Sequence, residues 1–237
     1  MPRFFIDEAV VGTFRLVGED AAHVAKSLRM RLGETLILCH DGLDYTCKIV
    51  GFERDAVLVE LLSVQPCAAE PNVAVTLFQG LPKGDKMDLI VQKAVEVGVG
   101  AIVPVVTKRC ISRPDEKNLH KKVQRWQKIA LEAAKQSGRG IVPKVLDVQD
   151  FPQAVTLGAQ LEEAILFYEG GGALLKTLLQ QAKSVAIFIG PEGGFEDDEV
   201  KCAVEGGVSI CSLGNRILRT ETAAIVASAL TIYEAER

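Results

Sequence analysis

The 237-residue sequence predicts an α/β protein in two parts, a small N-terminal β-barrel followed by a mainly parallel sheet with helices on both faces. Two observations predict it. Residues 1–70 read as short strands broken by turn signals, whereas from Val73 onward aliphatic strands alternate with helical stretches. The change falls at Gln65–Asn72, a stretch with two prolines that reads as a linker.

In the first part the strands are Thr35–His40, Tyr45–Phe52 and Ala56–Leu62, with Asp41-Gly42 as the turn between the first two. A short helix is expected over about Ala21–Leu28. In the second part, 73–237, the strands are Val73–Phe78, Ala101–Val106, Ala164–Tyr168, Val185–Ile189 and Val208–Leu213. The strongest helix spans 117–137 and ends before Gly138. Leu119, Val123, Trp126, Ala130 and Ala133 form its apolar stripe, and Lys117, Lys121, Arg125 and Lys128 form a separate basic one. A final helix over 220–236 is rich in small residues (Ala223, Ala224, Ala227, Ser228, Ala229), which permit close approach by another backbone.

Composition narrows the function classes. Hydrophobic residues make up 48% and charged residues 24%, the balance of a soluble globular protein, and no apolar run is long enough to span a bilayer. The start, MPRFFIDEAVVG, lacks the basic and apolar regions of a signal peptide, so a cytoplasmic location without a membrane is expected. The six cysteines (Cys39, Cys47, Cys67, Cys110, Cys202, Cys211) contain no C-x-x-C pair, so neither a metal nor a disulfide framework is expected. Charge is uneven. Residues 71–150 carry 14 Lys/Arg against 8 Asp/Glu, while 1–70 carry 7 against 11 and 151–237 carry 6 against 12. A basic middle third inside an acidic chain suits a local anionic partner such as nucleic acid.

Two loops near the C-terminus carry the chemistry. Ile189-Gly190-Pro191-Glu192-Gly193-Gly194-Phe195 follows a buried strand, and its glycines let a backbone approach a ligand. It matches neither the P-loop nor the dinucleotide fingerprint. Glu196, Asp197, Asp198 and Glu199 open the next helix and would repel a phosphate at its N-terminus, so a cationic, phosphate-free ligand fits better. The second loop, Leu213 through Arg219, runs into Thr220-Glu221-Thr222-Ala223.

The pair G-P-E-G-G-F and L-G-N-R-I-L-R-T-E-T-A closely resembles the ribosomal RNA small subunit methyltransferase E family. The resemblance extends along the whole chain, through Lys83-Gly84-Asp85-Lys86-Met87-Asp88, Arg125-Trp126-Gln127-Lys128, Gln136-Ser137-Gly138-Arg139, and His23, Arg29, Arg31 and Gly33. One departure is Lys108, where an acidic residue is expected before Arg109.

The resemblance implies a PUA-like barrel over 1–70 and a SPOUT α/β domain over 73–237 whose C-terminal chain forms a deep trefoil knot, although topology rules alone count against knots. It implies methylation of N3 of a uridine in the decoding region of 16S rRNA, with S-adenosylmethionine as cofactor, the small ribosomal subunit as partner, a homodimer as active form and no role for DNA. The implied cofactor residues are Phe167, Tyr168, Glu169, Gly190, Pro191, Glu192, Gly193, Gly194, Leu213, Gly214, Ile217, Leu218 and Thr222. Implied RNA contacts are His23, Arg29, Arg31, Lys83, Lys86, Arg109, Arg113, Arg125 and Arg139. N3 carries a proton at neutral pH, so a base or an anion stabiliser is needed, and Glu221 and Arg219 beside the pocket are the candidates. A different product, ribose 2′-O or guanine N1, and a non-catalytic RNA-binding assembly factor remain open at this point.

Overall fold

Period-two apolar patterning builds the first sheet. In a computed structural model that describes residues 1–111, 116–179 and 181–237, without the side chains of Glu116 and Lys117, strands β1 (Arg3–Phe5), β2 (Thr13–Val17), β3 (Thr35–His40), β4 (Leu43–Phe52) and β5 (Ala56–Pro66) lie in the order β1-β3-β4-β5-β2. β1 runs parallel to β3 and the other pairs are antiparallel. Leu36 and Leu38, then Tyr45, Cys47 and Ile49, then Val57 and Val59 recur at alternate positions and pack into one core with Phe4 and Leu16. Helix α1 (Gly18–Ala22) and the π-helical turn that continues it (His23–Ser27) contribute Ala21 and Val24 to this core. Asp41 and Gly42 form the expected two-residue turn, both at positive φ (+47° and +73°), between the paired residues His40 and Leu43. Burial lifts the Cys39 and Cys47 thiols to about 11, so both remain protonated core residues.

The chain divides into two compact units. The first comprises Met1–Glu70 together with Gly138–Val142, and the second Pro71–Ser137 with Pro143–Arg237. The short return segment, expected within the second part, is stitched into the first by one carboxylate. Glu70 accepts hydrogen bonds from Arg139 Nε and Nη2 (2.9 and 2.7 Å), Gly140 N (2.8 Å) and Ile141 N (3.0 Å). Arg139 is 3% exposed, so its expected role as an RNA contact is corrected: the guanidinium is an interior ion-pair partner that no phosphate reaches.

The second unit is a seven-stranded parallel sheet of β6 (Ala74–Gly80), β7 (Ala101–Val106), β8 (Lys144–Val145), β9 (Gln149–Asp150), β10 (Glu163–Phe167), β11 (Ser184–Ile189) and β12 (Ser209–Cys211). Their order is β12-β10-β11-β6-β7-β8, with β9 also pairing with β7. The chain starts at β6 in the middle, runs outward through β7 and β8, and returns to the other side. The order therefore reverses beside β6 and β11, the position where open α/β sheets bind ligands. Connecting helices are α2 (Lys86–Val97), α3 (Glu116–Ser137), α4 (Phe151–Gly158), α5 (Leu175–Leu178), α6 (Asp197–Glu205) and α7 (Thr220–Ala235). Phe78 and Phe188 stack at 4.5 Å in the core, joined by Phe151 and Phe195.

The small-residue face of α7 is used inside its own unit. Ala224, Ala227 and Ser228 are fully buried where α7 packs on α2, β6 and β11, while Ala229, Leu230 and Tyr233 are its exposed apolar residues. Among the described residues no helix is long and apolar enough to cross a membrane.

The Glu70 clasp yields a stability prediction. Burial raises the Glu70 pKa, but Arg139 and the two backbone N–H donors outweigh it and lower the pKa below the ordinary carboxylate value. Glu70→Ala should lower the free energy of unfolding in urea at neutral pH by about 3 kcal/mol, the scale for stranding a buried charge. A depressed carboxyl pKa stabilises the fold above the unfolded pKa and ceases to as pH falls through the folded pKa. The gap between wild type and variant should therefore narrow below about pH 4. A gap that is unchanged by pH would contradict this account.

Candidate active site

Three parallel strands end on one side of a cavity of about 300 Å3. Phe167 ends β10 and Tyr168 and Glu169 follow it, Ile189 ends β11 and Gly190 through Phe195 follow it, and Ser212, Leu213, Gly214, Arg216, Ile217 and Leu218 follow β12, while Thr220 and Ala223 close it from the start of α7. Of the thirteen cofactor residues expected from sequence, twelve line this cavity. The exception is Thr222, which is corrected. It is exposed and lies two residues beyond Thr220, about 200° around the helix, so it faces away from the wall that Thr220 forms.

Sequence reasoning missed Ile189, Phe195, Ser212, Thr220 and Ala223 as lining residues. Four of them stand inside the quoted motifs, so the signal was present in the spacing. It also missed Gln79, for which the strand was expected to stop one residue short. Gln79 is fully buried at the end of β6. Its Nε2 donates to Gly80 O (2.9 Å) and Thr220 Oγ1 (3.0 Å) and lies 3.4 Å from Gly190 O. Thr220 Oγ1 in turn donates to Gly190 O (2.7 Å). One amide and one hydroxyl thus join the end of β6, the glycine loop and the first turn of α7.

The glycine loop is a hydrogen-bonded turn, with Gly194 N donating to Pro191 O (2.9 Å). Gly194 takes φ +68°, and a Cβ there would meet Glu169 Oε1 at 2.9 Å, so no other residue fits easily. Gly193 is different. Its φ is not in the left-handed region, and a Cβ would press on Arg109 Cβ and Cδ at 3.1 and 3.2 Å. The close approach that excludes a side chain at Gly193 is made by Arg109.

Charged groups surround the loop in pairs. Lys86 Nζ lies 2.8 Å from Glu192 Oε1 and 3.5 Å from Glu221 Oε2, and Lys83 N also donates to Glu192 (3.2 Å). Burial would raise the Glu192 pKa, but Lys86 and the Lys83 N–H reverse this and hold it below the ordinary carboxylate value. Glu221 Oε2 is buried without a hydrogen-bond partner among the described residues. Lys108, the departure from the family pattern, pairs with Asp198 through its ammonium and with Glu199 through its backbone N–H (2.8 Å). Of the four carboxylates at the start of α6, Glu196 and Asp198 thus pair with Arg109 and Lys108 of the β7 loop, Glu199 accepts a backbone N–H, and Asp197 accepts from the Tyr168 hydroxyl (3.3 Å). Glu196 and Glu199 complete a capping box.

The expected RNA contacts fall into classes. His23, Arg29 and Arg31 are exposed in the first unit. Lys83 is exposed, Lys86 is engaged as described, Arg109 pairs with Glu196 (2.9 Å), and Arg125 pairs with Asp88. Arg113 and the side chain of Lys117 lie outside the described residues. Lys121, Arg125 and Lys128 line an open groove of about 920 Å3 between α2 and α3. Arg219 is exposed at the N-cap of α7.

Comparison with known proteins decides the family. Residues 69–232 match an RNA methyltransferase domain and residues 16–62 an RNA methyltransferase PUA domain. Ribosomal RNA small subunit methyltransferase E of Bacillus subtilis is 34% identical over 250 residues, covering 100% of this chain and 98% of that one. The chain belongs to the ribosomal RNA small subunit methyltransferase E family. The Synechocystis relative of the same name is 35% identical over 94% of this chain and 74% of its own length. A crystal structure of the Neisseria gonorrhoeae methyltransferase E bound to S-adenosyl methionine superposes with a TM-score of 0.85 at 33% identity, covering 97% of this chain and 96% of that one. The fold of this family member is accordingly a PUA-like first unit followed by an α/β methyltransferase unit.

The three-way junction is testable. Thr220→Val keeps the shape but removes both the acceptor for Gln79 and the donor to Gly190, and should cost about 2 kcal/mol of stability. Thr220→Ser, which restores the hydroxyl, should recover most of it. Equal melting of the two variants would show that packing, and not the hydroxyl, matters here.

Proposed function

We propose that this protein methylates N3 of a uridine in the decoding region of 16S rRNA, on the small ribosomal subunit, with S-adenosylmethionine as methyl donor. The cavity at the ends of β10, β11 and β12 carries this reading. It offers backbone from the glycine loop, apolar walls from Phe167, Ile189, Leu213, Ile217 and Leu218, and the carboxylates of Glu169 and Glu192 at its rim. That lining suits a cationic ligand with no phosphate, and the crystal structure of the Neisseria relative is of a complex with S-adenosyl methionine. When bound, the cofactor supplies an electrophilic methyl group on a cationic sulfur.

The chain's own residues have three tasks. The first is positioning, because in-line displacement depends on geometry, and the junction at Gln79 and Thr220 holds both loops. The second is admission of the base. N3 lies on the Watson–Crick edge, so the uridine must be unpaired or flipped. Ile217, 90% exposed at the pocket mouth, and the neighbouring Arg216 offer an apolar and a planar cationic surface for it. The third is removal of the N3 proton. We assign it to Glu221, which follows the cavity-lining Thr220; its Oε2 has no hydrogen-bond partner among the described residues and lies 3.5 Å from the ammonium of Lys86. Arg219, at the start of the same helix, offsets negative charge on the uracil or its phosphate.

His23, Arg29 and Arg31, with Lys121, Arg125 and Lys128 along the groove, are proposed to hold phosphates. A homodimer is supported by the exposed Leu230 and Tyr233 on α7. The trefoil knot is supported by β11 lying between β10 and β6 and by α7 returning onto both β6 and β11. A cytoplasmic location follows from the ribosomal substrate.

Purified protein incubated with S-adenosylmethionine and undermethylated small subunits should yield N3-methyluridine on nucleoside mass spectrometry. Glu221→Gln should reduce kcat about a hundredfold, and Lys121→Glu with Lys128→Glu should raise the KM for RNA and flatten its salt dependence. Ribose methylation alone, or no product, would contradict the assignment.

A further inference from the structure

Arg109 was expected among the RNA contacts, but its surroundings give it other work. Its Nη1 donates to Gly193 O (2.7 Å), while Nη2 and Nε lie 3.0 and 2.9 Å from the two carboxylate oxygens of Glu196. The aliphatic stem of the same side chain covers Gly193 where a Cβ would otherwise stand. Gly193 lines the cavity. The peptide joining Gly193 to Gly194 is therefore held at both ends, its carbonyl by Arg109 and its N–H by Pro191 O.

Glu196 supplies the anchor that fixes the guanidinium. Its backbone N–H donates to Glu199 Oε2 (2.9 Å), and the buried Glu199 accepts from Lys108 N (2.8 Å) through its other oxygen. Arg109, Glu196, Glu199 and Lys108 thus close a ring of bonds between the loop after β7 and the first turn of α6. The ring aims Arg109 at the loop.

We propose that Arg109 is a positioning residue for the cofactor, which presets the Gly193–Gly194 peptide with its carbonyl turned toward the guanidinium. A peptide between two glycines is the easiest kind to rotate, because neither residue has a Cβ to resist it. Without Arg109 the loop samples other orientations, and binding must select among them at a cost in affinity. Glu196 has a stronger hold on the guanidinium than a solvated phosphate, because the pair is bidentate and already assembled. This inference rests on the reading of the pocket as an S-adenosylmethionine site.

The test is calorimetric titration of the full-length protein with S-adenosylmethionine, alongside RNA binding at several salt concentrations. Arg109→Ala should weaken cofactor binding by about tenfold or more, as for loss of a charged hydrogen-bond donor. RNA affinity and its salt slope should stay at the wild-type values. Arg109→Lys, which reaches one acceptor at a time, should recover part of the affinity. Glu196→Gln, which keeps the cap but loosens the guanidinium, should give a smaller loss and guards against a misfolded alanine variant. Unchanged cofactor affinity with weakened RNA binding would make Arg109 a phosphate contact and overturn the proposal, and unchanged values of both would overturn it equally. Failure of the wild type itself to bind S-adenosylmethionine would overturn the pocket reading, and this inference with it.

Discussion

The hydrogen bond from Thr220 Oγ1 to Gly190 O, with the Gln79 amide behind it, is the constraint on which the site depends. The two loops that make the cavity are about thirty residues apart in sequence and come together only because α7 starts against the end of β11. A buried amide and hydroxyl are costly unless bonded, and here Gln79 Nε2 and the Thr220 hydroxyl bond to each other and Thr220 to the glycine loop, while Gln79 Oε1 has no hydrogen-bond partner among the described residues. Sheet order makes the arrangement possible. With β11 next to β6, the C-terminal ends that carry Gln79 and Gly190 are adjacent, so a single side chain spans them.

The charges around the pocket are paired. The acidic start of α6 is not left to the helix dipole alone, since Lys108 pairs with Asp198 and Arg109 with Glu196. Glu196 raises the pKa of Arg109, and Arg109 lowers that of Glu196, through their shared bonds. On the opposite side Lys86 sits between Glu192 and Glu221 and keeps two carboxylates close without strong repulsion. Lys108 in place of the acidic residue of the family pattern is explained locally by its pairing with Asp198.

Long, periodic elements were legible in the sequence. Thr35–His40, Ala101–Val106 and the 117–137 helix stand where period and turn chemistry put them, because each has a single strong pattern and a clear stop. Arg3–Phe5, Thr13–Val17, the two-residue strands and the helix over Phe151–Gly158 were not, since runs this short owe their form to their neighbours. The pocket residues were legible through motif resemblance. Their partners were not. Arg139 and Arg109 look alike as exposed basic residues in a basic region, yet one is buried on Glu70 and the other braces Gly193. Only three-dimensional pairing separates a structural guanidinium from one available to RNA. Gln79 carries no local signal at all, because its role lies in contacts with residues 111 and 141 positions away.

Amide hydrogen exchange with and without S-adenosylmethionine tests the central claim most directly. The account predicts slowed exchange in 190–195, in 213–219 and at the start of α7, with the groove between α2 and α3 unaffected. Protection confined to that groove, or absent from both loops, would contradict it.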